Sequence, residues 1–166
     1  MEVKRLRALV PFDDRHRTLI HKIKFGKKRW VIKAYRGIIR KACAENAAGG
    51  AEMILPIPLD RHRKREREFN QAEDLARLVS ECTGAPILTG VIGKRGGKPQ
   101  STLKRKERLL NLKGQFYMKR AHRIKDRTVL LVDDVYTTGT TVNECAALLG
   151  RAGAREVSAL ILARTL

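Results

Sequence analysis

Residues 129–141 read Val-Leu-Leu-Val-Asp-Asp-Val-Tyr-Thr-Thr-Gly-Thr-Thr. Four consecutive branched or long apolar residues, Val129 to Val132, form a short run with no polar alternation, which is the pattern of a strand covered on both faces. Two adjacent carboxylates, Asp133 and Asp134, end the run, and a loop of four threonines around Gly139 follows. From Val142 to Ala152 the apolar spacing becomes helical. A buried strand that runs through a polar loop into a helix is the unit of an open α/β sheet, in which ligands sit beyond the carboxyl ends of the strands.

Outward from this segment the same alternation recurs. Residues 157–163 form a last buried strand, and residues 53–56 a short one closed by Pro56 and Pro58. Residues 70–82 form an amphipathic helix with Ala72, Leu75, Ala76, Leu78 and Val79 inward and Gly84 as its stop. Residues 87–92 read as a weaker strand, 115–118 as a short strand, and 103–112 as a charged helix. Lys94 to Pro99 is rich in glycine and basic residues and reads as a mobile loop. The first 50 residues read as helical, with helices over 16–25 and about 30–48 and no strand. The expected architecture is therefore α/β: a mostly parallel sheet flanked by helices in 51–166, with a helical N-terminal cap in 1–50, in a single domain.

Composition bounds the function. The chain has 166 residues, with 36 Lys and Arg against 17 Asp and Glu, for a formal charge of +19. Such a field attracts polyanions without choosing among them. Aromatic content of 5% weakens the case for a base-stacking surface. No apolar stretch approaches the ~20 residues that span a bilayer, and Pro11, Asp13 and Asp14 interrupt the start, so a cytoplasmic protein with no membrane span is expected. Cys43, Cys82 and Cys145 are far apart in sequence and read as small buried thiols, and the four histidines show no metal spacing.

The chemistry concentrates in residues 133–141. Val135, Tyr136, Thr137, Thr138, Gly139, Thr140 and Thr141 offer consecutive backbone N–H groups and hydroxyls at the opening of a helix, a place that favours an anion. Gly139 permits close approach or a left-handed backbone angle. Neither a nucleotide P-loop nor a Gly-x-Gly-x-x-Gly fingerprint is present. Two carboxylates before the cradle suit a ligand that presents hydroxyls next to a phosphate, such as ribose 5-phosphate. Asp133 and Asp134 can accept from such hydroxyls directly or through Mg²⁺ and its water. Tyr136 is open to two readings, as a stacking surface for a base or as a spacer.

The segment resembles the phosphoribosyl pyrophosphate signature of type I phosphoribosyltransferases. Two further stretches resemble the ComF-like (competence protein / GntX-like) branch. One runs Leu55-Pro-Ile-Pro-Leu-Asp-Arg-His-Arg-Lys-Arg-Glu-Arg-Glu-Phe-Asn-Gln-Ala72, and the other runs Lys98-Pro-Gln-Ser-Thr-Leu103 through Arg108 and Asn111 to Phe116. Ile23-Lys24-Phe25 is similar to an early Leu-Lys-Tyr element of the branch. The resemblance implies a phosphoribosyltransferase-like fold, phosphoribosyl pyrophosphate as substrate, Mg²⁺ held by Asp133 and Asp134, and a small nitrogenous base as acceptor. It also implies a pyrophosphate site at Leu59, Asp60, Arg61, Arg63 and Arg67. Guanidinium groups suit that task because they bind phosphate bidentately, and one or two of Arg61, Arg63, Arg65 and Arg67 are expected to touch ligand. Arg95 and Lys98, with Lys94, are expected to close over the ligand, and Arg108 to assist.

Asn70 and Gln71 serve either the ligand or the cap of the next helix. Many members begin with a four-cysteine zinc segment that has no counterpart in this sequence, so no zinc is expected. The branch often has Gly before Phe-Asn-Gln where this chain has Glu68. A non-catalytic ribose-phosphate sensor that binds DNA through its basic surface is the alternative function. Oligomeric state stays open, a homodimer included.

Overall fold

The computed structural model describes residues 2–25, 29–95 and 114–165. Four parallel strands form the main sheet in the order β1-β6-β5-β2: β1 (Arg5–Pro11), β2 (Met53–Pro56), β5 (Thr128–Tyr136) and β6 (Glu156–Arg164). Strands β3 (Ile92–Lys94) and β4 (Phe116–Met118) pair antiparallel in a separate two-stranded sheet. The helices are α1 (Asp14–Phe25), α2 (Arg36–Ala44), α3 (Arg61–Arg67), α4 (Gln71–Thr83) and α5 (Thr140–Arg151), with a 3₁₀ stretch at Arg29–Tyr35.

The apolar run at β5 reads on both faces, as expected. Leu130 and Val132 join Ile54, Leu160 and Leu162 under Ile20, Ile23 and Ile39 of α1 and α2 and Leu75 and Val79 of α4. Val129 and Leu131 join Ala159 and Ile161 under Val142, Cys145 and Leu149 of α5. Alternate residues of each central strand thus feed two cores, one on each side of the sheet.

Several expectations are corrected. The N-terminal 50 residues do contain a strand: β1 pairs with β6 over Arg5↔Ser158 to Pro11↔Arg164. It lies at the sheet edge, where charged Arg5 and Arg7 point to solvent and Pro11 ends the pairing without loss. Its backbone pairing, and not a strong apolar pattern, makes it a strand. The helix expected over 30–48 is 3₁₀ up to Tyr35 and regular only to Ala44. The strand expected over 87–92 divides. Ile87 makes a single parallel bridge to Ile54, while Ile92 belongs to the other sheet. The basic stretch at 61–67 is helical, capped by Asp60, whose carboxylate accepts from the Arg63 N–H at 2.9 Å. Among the cysteines only Cys145 is buried; Cys82 is exposed and Cys43 intermediate. The charged helix expected over 103–112 lies outside the described residues.

Glu68 ends α3 with φ 66° and ψ −14°. This is the left-handed region, which costs a residue with a Cβ roughly 1–2 kcal/mol. The position where the branch often has glycine thus takes a backbone angle that glycine adopts without strain. Glu68→Gly is expected to raise the melting temperature by about 2–4 °C, the equivalent of about 1 kcal/mol in a domain of this size, as measured by calorimetry.

Candidate functional site

The site forms where β2 stops and β5 continues. Pro56 is the last residue of β2 and pairs with Val132; one residue on, the Ile57 N–H donates to the Val132 carbonyl at 2.9 Å. The chain then leaves the sheet toward α3. On its other side β5 stays paired with β6 through Asp133↔Ile161 and Tyr136↔Arg164. The acid pair is therefore part of the strand and not of the loop after it. One flank of β5 is left without a strand partner there, at the carboxyl end of the sheet, where open α/β sheets hold their ligands.

Asp133 and Asp134 are both half-buried. Asp133 Oδ1 accepts the N–H of Asp134 at 2.9 Å. Burial, and then the Asp134 charge, push the Asp133 carboxyl well above the ordinary carboxylate range, against the pull of that N–H and of Lys24 and Lys94. Asp134 faces a cation from another element: Lys24 Nζ of α1 lies 2.6 Å from its Oδ2. Both side chains are mostly buried, at 21% and 15% exposure.

Beyond the acids the backbone turns at Gly139, at φ 76° and ψ −4°, which caps α5 without any side-chain hydrogen bond. The first N–H groups of α5 are therefore not claimed by a capping side chain, and the helix dipole favours an anion there. The Thr138 and Thr140 hydroxyls lie 2.8 Å apart across the turn. Thr137 and Thr138 are exposed, and Thr140 and Thr141 half-buried. Val135 pairs with Ala163 and packs into the core on the α1 side.

Tyr136 packs against the turn. A Cβ on Gly139 would fall 2.7 Å from the ring carbon Cζ of Tyr136 and closer still to its hydroxyl, and the Arg164 guanidinium covers the ring at 5.4 Å from its centroid.

The basic helix α3 supplies a second wall. Arg67 is buried at 8% exposure, and Asp60 likewise at 8%. Burial and neighbouring Arg63 lower the Arg67 guanidinium from its usual range, while Asp134, Glu66 and Asp60 oppose that shift. Arg63 approaches Asp60 at 3.6 Å. Arg61 and Arg65 are exposed and Leu59 is half-buried. Of the four arginines, Arg67 feels the Asp134 charge, and Arg63 acts on Arg67 and Lys94 beside it. Asn70 is a structural residue: its Oδ1 accepts from the Ala72 N–H at 3.1 Å and its amide donates to the Ile57 carbonyl at 3.0 Å. It ties the exit of β2 to the start of α4.

The third wall departs from expectation. Lys94 is the last residue of β3 and not part of a mobile loop. It is half-buried, with its ammonium 4.9 Å from the Phe116 ring centroid. Burial and then Arg63 lower its pKa, and Asp60 and Asp133 act against them. Arg95 instead places its guanidinium over Tyr117, 5.6 Å from the ring centroid, so the two residues diverge at the end of the strand. Lys98 and Arg108 lie outside the described residues. Lys24 and Lys94 are the two cations that act on Asp133. Lys24 had one signal, the Ile23-Lys24-Phe25 element. Lys94 was expected near the ligand as part of a loop, and it is the pairing of β3 with β4 that sets its position.

An oxygen-only acid pair suits a hard cation such as Mg²⁺, which binds through one or two carboxylates and completes its shell with water and phosphate oxygens. Among the described residues no group of three or more His, Cys, Asp or Glu side chains could hold a metal by itself.

Residues 48–165 match the family model of the phosphoribosyl transferase domain. The chain belongs to that family.

Within it the chain falls in the ComF-like branch. It is 32% identical to Competence protein F of Haemophilus influenzae over 152 residues, covering 88% of this chain and 66% of that protein. To the DNA utilization protein YhgH of Escherichia coli (strain K12) it is 31% identical over 153 residues, covering 89% and 66%. To Competence protein ComFC of Bacillus subtilis it is 28% identical over 160 residues, covering 96% and 64%. The chain thus spans just under two thirds of the length of these relatives. Solved phosphoribosyltransferases share the fold. The glutamine phosphoribosylpyrophosphate amidotransferase of B. subtilis is 22% identical with a TM-score of 0.53, over 79% of this chain and 26% of that one. The hypoxanthine phosphoribosyltransferase of Trypanosoma cruzi is 15% identical with a TM-score of 0.52, over 82% and 64%. No helix among the described residues is long and apolar enough to cross a membrane.

Proposed function

We propose that this protein binds phosphoribosyl pyrophosphate with Mg²⁺ and transfers the phosphoribosyl group to or from a nitrogenous base. The observation that carries the reading is the acid pair at the open end of β5, followed at once by the uncapped N-terminus of α5. The 5-phosphate takes the α5 N–H groups around Gly139, and the ribose hydroxyls donate to Asp133 and Asp134. The pyrophosphate faces Arg63, Arg67 and Lys94, whose fixed positive charge offsets the negative charge that develops on a departing pyrophosphate. Bound Mg²⁺ supplies further neutralisation of that leaving group. Loss of the pyrophosphate leaves positive charge on the ribose ring, next to the two carboxylates.

Thermal melting with Mg²⁺ and phosphoribosyl pyrophosphate tests the reading. Ligand at 100 times Kd stabilises by about 2.7 kcal/mol, which corresponds to a rise of about 5–10 °C. The rise is expected in the native protein and absent in the Asp133→Asn, Asp134→Asn double variant. No shift at millimolar ligand, with a sharp melt showing a folded protein, would defeat the proposal.

A second reading has its own support. The charge of +19 and relatives named for competence and DNA utilization favour a non-catalytic protein that senses the ribose phosphate and binds DNA. Salt dependence alone is uninformative, since any strongly basic protein shows it. Displacement of a labelled oligonucleotide by phosphoribosyl pyrophosphate, with no turnover of any base, would favour this reading over catalysis.

A further inference from the structure

Lys24 lies outside every stretch that defines the phosphate cradle, yet its ammonium is in direct ion contact with the acid pair. Helix α1 is anchored by Ile20 and Ile23 in the core that also holds Val132 and Leu162. The next residue, Lys24, therefore leaves the core beside the end of β5. Its Nζ lies 2.6 Å from Asp134 Oδ2. That oxygen is buried and makes no hydrogen bond, so the contact rests on charge and not on directed donation. The Asp134 charge also acts on the Arg67 guanidinium. A like-charged divalent cation and this ammonium cannot share the carboxylate without strong repulsion at so short a distance.

We infer that Lys24 is a tethered counter-cation of the acid pair, which must leave Asp134 before a divalent cation or a ribose hydroxyl can use that carboxylate, and which then pairs, still charged, with the anionic ligand. This deepens the proposed function and rests on it. The exchange makes the site respond to the metal and the phosphorylated ligand together. A bare divalent cation meets a competitor. A ligand that brings its own negative charge gives the displaced ammonium a new partner, and the acids become free as acceptors. The contact bridges α1 and β5, so ligand entry is also read by the N-terminal helices.

The decisive comparison uses native protein, Lys24→Met and Lys24→Arg. Methionine keeps the length and apolar character of the stem, and arginine keeps the charge. Mn²⁺ binding to the ligand-free protein is followed by the loss of the free-ion electron paramagnetic resonance signal. Phosphoribosyl pyrophosphate binding in Mg²⁺ is followed by calorimetry. Lys24→Met is expected to bind Mn²⁺ at least tenfold more tightly and phosphoribosyl pyrophosphate at least tenfold more weakly, with Lys24→Arg within about threefold of native on both. A lysine that merely held α1 in place would move both affinities down or neither. Unchanged or weaker Mn²⁺ binding in Lys24→Met overturns the exchange, as does unchanged ligand binding, and in either case the proposed function stands if native protein binds the ligand. If native protein does not bind phosphoribosyl pyrophosphate, the proposed function and the exchange fall together.

Discussion

Gly139→Ala is expected to destabilise the protein by about 2–4 kcal/mol and to abolish phosphoribosyl pyrophosphate binding at millimolar concentration. Two costs combine. At φ 76° a Cβ is strained by roughly 1–2 kcal/mol. The added methyl would also meet the Tyr136 ring, 2.7 Å from Cζ. That ring is held from another side by Arg164, and Tyr136 is the last residue of β5, with its carbonyl accepting from the Thr165 N–H at 3.0 Å. It cannot turn away without disturbing the turn that opens α5. Denaturant unfolding measures the first effect and calorimetric titration the second. In a Tyr136→Ala background Gly139→Ala meets no ring and costs only the backbone strain, so about half of its cost in the native background should disappear. An alanine variant as stable as the native protein would show that the turn adapts and that the ring is not packed as described.

Asp133→Asn is expected to act in opposite directions on stability and on function. Burial and the neighbouring Asp134 charge raise the Asp133 pKa in the folded protein. The folded state therefore holds that proton more tightly than the unfolded state does. As pH rises from the ordinary carboxylate value through the raised one, the folded state loses stability, and the full cost is present above the raised value. Asparagine removes the charge and keeps an oxygen that can accept the Asp134 N–H. In the absence of ligand the variant is expected to melt about 3–6 °C higher than the native protein at pH 8, equivalent to about 1–2 kcal/mol, with the gap closing as pH falls toward 4. Affinity for phosphoribosyl pyrophosphate in Mg²⁺ is expected to drop at least 30-fold, since a charged acceptor is lost where hydroxyls and metal converge. Melting curves over pH, paired with titrations, check both. A variant less stable than the native protein across the whole range would contradict the assignment of Asp133 as a strained carboxylate.

This opposition is expected of a binding site held ready by its surroundings. Two carboxylates on adjacent residues at the open end of a strand serve folding poorly. Lys24 and Lys94 offset part of that cost from α1 and β3, which are remote from the acids in sequence.

The sequence by itself determined the central features. The unbroken apolar run before Asp133 implied a doubly covered strand because only apolar side chains suit both faces. Gly139 implied a tight turn because only glycine takes a positive φ without strain. The helical spacing after Thr141 located α5. Local chemistry settles all of these, and each lies where it was expected. Helix α4 is legible for the same reason, with its apolar face, its Asn70 cap and Gly84 at φ 73°. The tertiary structure decided what depends on pairing and proximity. Strand β1 exists because β6 offers it an edge. The acids lie within β5 because β6 continues beside them after β2 has ended at Pro56. Lys94 feels the Asp133 charge while Arg95 lies over Tyr117, because the pairing of β3 with β4 sets the two neighbours apart. Lys24 meets Asp134 across 110 residues of chain because α1 packs on the same face of the sheet as α4. Short-range patterns fix turns, caps and buried strands, whereas charge partners and strand neighbours are set by where the completed sheet brings distant segments together.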